Sequence, residues 1–377
     1  MALLYNTAVS RYSAVKWRFF IADILLTAVL VLVFQFFLAR PCLLLAEGIT
    51  QNFYAEAFIY GALFMSFMYL ISLPLHFADS FAVEHAFRLS DQKMGEWLAD
   101  EAKSSVLSFA LWTACVEVFY FIVKNSPDLW WMITAVLWVG FSVVLARLMP
   151  VLLIPIFFKY MPIEDGSIKE RIVKLSERCG IKLLDVCQID LSRKTRKANA
   201  ALVGLGKTRK VIMADTLLRE FTPEEAETVV AHEFGHYRFL HMWQLLAVSG
   251  VVTASGFYLL SLVAGKTALF LGARGPADLY MMPSLILIMS FFGMLILPAQ
   301  NWFSRRLERE ADRYAIKMVG SPEIFIAVMK KLASMNLAET DPPLLRKILL
   351  YNHPPIGERI RMAEGMMNSQ KTESASR

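Results

Sequence analysis

Six long apolar runs dictate what this chain can become: residues 17–39, 53–75, 106–123, 129 to about 150, 243–265 and 279–300. Each approaches the roughly 20 residues that cross a bilayer as an α-helix. A chain that is 56% hydrophobic, with a mean hydropathy of +0.46, is no ordinary soluble domain. The first run is too long for a signal-peptide core and lacks a convincing cleavage site, so it reads as a membrane anchor. The fourth has the softest boundary, because apolar sequence continues past Pro150 and Pro155 to Phe158.

Charge sets the orientation. Arg11, Lys16 and Arg18 precede the first run; Arg88, Lys93 and Lys103 lie between the second and third; a dense basic set extends from Lys159 to Arg238; Arg305, Arg306 and Arg309 follow the sixth. The alternate loops hold only Arg40, Lys124, Lys266 and Arg274. The positive-inside rule then predicts a multi-pass protein with both termini in the cytoplasm. The net charge of +6 comes largely from loops facing anionic lipid, and no nucleic-acid motif is present. Cys42, Cys115, Cys179 and Cys187 show no metal-binding spacing, and disulfides are not expected of them.

Within the cytoplasmic stretch, His232-Glu233-Phe234-Gly235-His236 places two imidazoles one helical turn apart with a carboxylate beside the first. On a helix both rings reach one metal ion from the same face, and Glu233 stands next to the open position. This is the HExxH pattern of a zinc hydrolase. Thr222, Pro223 and Glu225 supply the N-cap, a first-turn proline and the capping-box partner of that helix. A metzincin would continue with Gly at 239 and His at 242, where this chain has Phe239 and Met242. His241 is rotated about 140° from His236 on a continuous helix and reads as an interfacial side chain.

Such sites take a third protein ligand and leave the fourth place for water. Past His236 the next acidic residues are Asp278 and then Glu308, Glu310 and Asp312. Two crossings return the chain to the side of His236 before Glu308, whereas Asp278 falls on the other side. Glu308 and Asp312 share a helical face, and Glu310 points roughly the opposite way. Glu308 is therefore expected to complete a site for one Zn2+ per chain. Asp312 is expected to accept the free N–H of a ligating imidazole. The competing reading is a solvated helix laced with alternating charge.

Residues 161–241 have the pattern of a small folded module. An amphipathic helix is predicted over 167–179, and strands over 184–189, 197–202 and 211–213, with a turn at Gly204 and Gly206 between the last two. A strand edge beside a zinc site can hold an extended peptide. Asn199 on that edge is a candidate for a substrate backbone amide and equally a turn former. A helix starts at Ser321-Pro322-Glu323, and a later turn carries Asn352-His353-Pro354-Pro355. The predicted organisation is 1–160 with spans one to four, 161–241 as the module, 242–300 with spans five and six, 301–368 as a helical region, and 369–377 as a disordered polar tail.

Four ordered blocks, KANAALVGLGKTRKVIMADTLL (197–218), AHEFGH (231–236), NWFSRRLEREAD (301–312) and NHPPIGERI (352–360), resemble the integral-membrane gluzincin family that contains the type I CAAX prenyl protease and the bacterial heat-shock protease HtpX. With residues 150–172 the likeness extends from Pro150 to Arg359, and residues 73–100, including FAVEHAFRLSDQKMGEWLAD, look more like the prenyl-protease branch than HtpX. The resemblance implies His232, His236 and Glu308 as ligands, Glu233 as catalytic base and Asp312 as the carboxylate that orients a histidine. It further implies that Asn199 binds substrate backbone and that His353 and Arg359 line the cleft, His353 helping to hold substrate or the developing oxyanion.

The implied fold is mainly α: a polytopic helical membrane protein of about six spans with a cytoplasmic gluzincin-type zinc protease module that includes a small β-sheet. The implied activity is that of a zinc metalloendopeptidase whose peptide or protein substrate is prenylated or membrane-embedded. Members of the prenyl-protease branch enclose a water-filled chamber with seven spans; six are found here, and the absent one would be N-terminal. Asp23, Glu117 and Arg147, all within spans, are compatible with a polar interior. Two other functions stand beside this one: quality control of misfolded membrane proteins, as in HtpX, and a transporter or scaffold with a vestigial zinc site. Against the last stand the retained Glu233, which a purely structural zinc does not need, and the lack of an internal repeat.

Overall fold

A computed structural model of the chain describes residues 2–204 and 209–375. Among these, six helices are long and apolar enough to cross a membrane, and they account for the six runs. The first four are α1 (Thr7–Ile49), α2 (Phe53–Ala86), α3 (Met94–Asn125) and α4 (Trp130–Phe157). A π turn at Met149–Leu153 explains the soft end of the fourth run. Pro150 and Pro155 remove amide donors, and the wider turn absorbs the break so that the helix continues to Phe157. A second π turn, Phe34–Leu38, carries Gln35, which is buried. Gln35 Oε1 accepts from the Ser284 backbone N–H at 3.1 Å and from its hydroxyl at 2.7 Å, so a side chain of the first span caps the start of the sixth.

The soluble part begins with β1 (Tyr160–Pro162), α5 (Gly166–Arg178), β2 (Asp185–Ile189), β3 (Ala200–Val203), β4 (Lys210–Ala214), α6 (Asp215–Glu220) and α7 (Pro223–Arg238). The sheet order is β1-β2-β4-β3, with β2 and β4 parallel and both outer strands antiparallel. β1 carries no sequence signal, being three residues long and ending in a proline. β3 starts later than expected and leaves Asn199 just ahead of it, where the Asn199 carbonyl accepts from the Ala214 N–H at 2.9 Å. Gly206 of the expected turn lies outside the described residues.

The remaining helices are α8 (His241–Leu271), α9 (Leu279–Val319), α10 (Pro322–Asn336), α11 (Leu344–Leu350) and α12 (Ile356–Ala375). α9 has 41 residues, about 60 Å at 1.5 Å per residue and twice the bilayer's hydrocarbon thickness. It therefore leaves the membrane as a helix and carries residues 301–319 into the soluble part. There Ala315 and Ile316 join Ile172, Leu175, Val211, Met213, Val230, Phe234 and Phe325 in one core, uniting the segments before α8 and after the membrane portion of α9. The polar tail departs from expectation: α12 runs through 369–375 as helix. No Gly or Pro interrupts 366–375, and extending an existing helix needs no new nucleus. Ser376 and Arg377 lie outside the described residues.

In the membrane part, α1, α2, α3 and the start of α9 close around Phe34, Tyr60, Phe64 and Tyr120. A cavity of about 820 Å³ opens among α1, α2 and α3, with Lys16, Asp23, Tyr69, His76 and Glu101 on its wall and Leu350 at its soluble end. Asp23 thus lines this space, whose surface mixes these polar groups with Phe19, Phe20, Met65 and Phe109; Glu117 and Arg147 do not line it. The sheet is moored to these helices through Lys197, whose Nζ lies 2.9 Å from Glu84 at the end of α2.

Candidate metal centre

α7 begins as its sequence dictates. Thr222 Oγ1 accepts from the Glu225 N–H (3.3 Å), and Glu225 Oε2 accepts from the Thr222 N–H (2.8 Å), closing the capping box. The helix then crosses α9 so closely that a β-carbon on Gly235 would sit 3.0 Å from Ala311 Cα. That contact lays the HExxH face directly on the turn that carries Glu308 and Asp312.

His232 Nε2 and His236 Nε2 are 3.1 Å apart. Glu308 Oε2 is 3.2 Å from the first, and Glu308 Oε1 is 3.3 Å from the second. Ligand bonds of about 2.0–2.1 Å at tetrahedral angles require donor atoms roughly 3.3 Å apart, close to the separations found. Glu308 Oε2 is buried and makes no hydrogen bond, although two ring nitrogens crowd it. An orphaned carboxylate oxygen facing imidazole nitrogens is what a divalent cation satisfies. Two nitrogens and one carboxylate therefore fit a zinc-type metal, and the arrangement excludes the solvated-helix reading of 305–312.

The other nitrogen of His232, Nδ1, lies 2.9 Å from Asp312 Oδ1. Asp312 is fully buried, and Arg359 grips it with two hydrogen bonds, Nε to Oδ2 at 2.8 Å and Nη2 to Oδ1. Burial by itself disfavours the His232 imidazolium, but the Asp312 and Glu308 carboxylates outweigh it and raise the pKa to about 10. A metal entering the site displaces that proton. Arg359, expected along the cleft, is instead buried with its guanidinium committed to Asp312.

His241 also departs from expectation, for a local reason. α7 stops at Arg238, and Leu240 adopts a left-handed conformation (φ 56°) before α8 starts. The chain therefore turns back, and His241 Nδ1 comes within 3.0 Å of His236 Nδ1 while its Nε2 sits 3.2 Å from Glu310. His232 and His236 are thus each backed by a polar chain, Asp312–Arg359 and His241–Glu310. Nothing in residues 237–240 signals the break, since none is Gly or Pro.

Burial pushes the Glu233 carboxyl above the usual range, and Glu308 adds to this; the His232 and His236 imidazoles and the Leu202 backbone of β3 act against it. Leu202 lies on the outer strand, so the sheet edge and Glu233 adjoin. Asn199 is exposed at the start of that edge. His353 places Nδ1 2.7 Å from Glu308 Oε2 with its side chain 56% exposed.

Sequence comparison agrees with this geometry. Residues 162–367 match peptidase family M48, and residues 7–159 match the CAAX prenyl protease N-terminal region of five membrane helices. The chain is 30% identical over 310 residues to the uncharacterized metalloprotease YhfN of Bacillus subtilis, covering 81% of this chain and 72% of that one. It is 28% identical to the CAAX prenyl protease 1 homolog of Arabidopsis thaliana (80% and 72% covered) and 26% identical to CAAX prenyl protease 1 of Saccharomyces cerevisiae (84% and 74%). The crystal structure of S. mikatae Ste24p superposes with a TM-score of 0.86 at 23% identity, covering 95% of this chain and 89% of the other. With both halves matched in order and the HExxH helix inside the peptidase segment, the chain belongs to peptidase family M48.

Proposed function

We propose that this membrane metallopeptidase is a zinc-dependent endopeptidase that cuts peptide bonds at the cytoplasmic face, with prenylated C-terminal CAAX peptides as its substrate class. The observation that carries the reading is the set His232, His236 and Glu308 beside Glu233 and the free edge of β3. When bound there, zinc supplies an acidified water and a Lewis acid for the scissile carbonyl. Glu233, its proton affinity raised by burial, takes the proton of the attacking water and delivers it to the leaving amine. β3 pairs with the substrate backbone, which leaves side-chain identity free, and exposed Asn199 holds an amide at the strand's start. His353, largely exposed beside Glu308, presents its second nitrogen to the substrate carbonyl oxygen. Asp312 fixes the tautomer of His232, and Arg359 holds Asp312.

The basic residues of 159–238 and 305–309 support a cytoplasmic location of this site through the positive-inside rule. The named plant and yeast relatives support the prenylated substrate class. Cleavage of misfolded membrane proteins is the second reading, favoured by the free edge of β3, which pairs with backbone and selects no particular sequence.

The test measures bound zinc and hydrolysis together on the full chain in detergent, with a farnesylated CAAX peptide and unfolded casein as probes. Glu233→Gln is expected to keep one zinc per chain and abolish cleavage. Cleavage that persists in this variant, or a wild type without zinc, removes the reading; the preferred probe decides between the two substrate classes.

A further inference from the structure

α11 has seven residues, and the carbonyls of its last turn have no partners within it. Two side chains of α9 supply them. Asn301 Nδ2 donates to the carbonyls of Ile348 and Leu349, both at 3.0 Å. Arg305 Nη1 donates to those of Lys347 (3.0 Å) and Tyr351 (2.6 Å). Both side chains are buried. Among the described residues Arg305 makes no ion pair, and its charge rests against the carbonyl end of α11, where the helix carries partial negative charge.

Arg305 precedes Glu308 by one helical turn and Asn301 by two, so clamp and metal-site carboxylate lie along one face of a continuous helix. Two residues beyond the clamped Tyr351 carbonyl, His353 reaches Glu308. Being largely exposed, His353 takes little positional support from packing. Its placement rests on its contact with Glu308 and on the backbone that leads into it. The other end of this strap is also tied, because Arg346 Nη1 lies 3.0 Å from both the Ser13 hydroxyl of α1 and Glu339.

We infer that Asn301 and Arg305 are positioning residues for His353: by capping α11 they fix the strap against α9 and set His353 beside the metal site without touching substrate. The inference rests on the proposed role of His353 in hydrolysis. The planar fork of arginine suits two diverging carbonyls; a lysine ammonium keeps the charge but not that geometry.

A double-mutant cycle on the full chain in detergent tests this, again with farnesylated CAAX peptide and casein. His353→Ala is expected to lower kcat about 100-fold. Arg305→Lys is expected to lower kcat at least ~10-fold with KM and zinc content unchanged, as misplacement of a catalytic group does. The combined variant is expected to be no slower than His353→Ala alone, because the one lesion acts through the other. Asn301→Ser should show the same pattern more mildly, and it carries the test if Arg305→Lys does not fold. Losses that multiply in the combined variant, or single clamp variants as fast as wild type, overturn the inference alone. A wild type that cleaves neither probe, or a fully active His353→Ala, overturns the proposed chemistry and the inference with it.

Discussion

Gly235 and Ala311 meet where the HExxH helix crosses the last spanning helix, so closely that a methyl group on Gly235 would force the crossing open by a few tenths of an ångström. Because the obstacle is backbone, it cannot swing aside. Gly235→Ala should gain up to about 1 kcal/mol of helix propensity yet lose about 1–3 kcal/mol through overpacking. It should also move His232 and His236 away from Glu308. Thermal unfolding and a zinc–chelator competition check this; a variant with unchanged melting temperature and zinc affinity would show that the helices part without disturbing the site.

Asp312 should matter to both stability and metal binding. Asp312→Ala leaves the buried Arg359 guanidinium without its carboxylate, a loss of about 3–5 kcal/mol. Asp312→Asn keeps the shape but loses the charge, and is expected to weaken zinc binding about 10–100-fold. Chelator titrations of the wild type and Asp312→Asn that superimpose would exclude this role.

His241 should act on metal retention through His236. His241→Ala is expected to weaken zinc binding about 10-fold, with a smaller effect from Glu310→Gln, which retains an acceptor for the His241 ring. The readout is the zinc remaining after dialysis against graded chelator, and equal retention in all three proteins would leave the His236–His241 contact without consequence.

Leu240 offers a test of the break between α7 and α8. Its left-handed backbone costs about 1–2 kcal/mol for an L-residue, and its side chain is 55% exposed. Leu240→Gly should therefore leave stability unchanged or raise it by up to about 1 kcal/mol, whereas Leu240→Val should lower it. If the valine variant melts no lower than wild type, the turn is not held in this conformation.

What the sequence reveals here is what local periodicity encodes. The spans follow from apolar length, and the pairing of Glu308 with His232 and His236 follows from i, i+4 spacing and from the parity of two membrane crossings. Asp312 was legible for the same reason, sharing a turn with Glu308. Contacts made by a change of direction were not. A continuous helix through Phe239 and Leu240 would turn His241 away from His236, but a strained leucine ends that helix without a glycine or proline to announce it. The family resemblance puts Arg359 along the cleft, but its partner Asp312 lies 47 residues away, a separation at which spacing carries no information. Strand β1 was invisible because three residues cannot show a period.

α9 holds a membrane segment and a metal-site carboxylate on one uninterrupted helix. From Gln300, where the apolar run ends, to Glu308 the rise is about 12 Å. No linker separates the two, so the centre stands at a set height above the lipid and cannot be lowered or extended to suit a substrate. On the proposed chemistry, for any chain whose end is held in the bilayer, the bond offered to Glu233 would be chosen by its distance from the membrane surface, in the manner of a ruler.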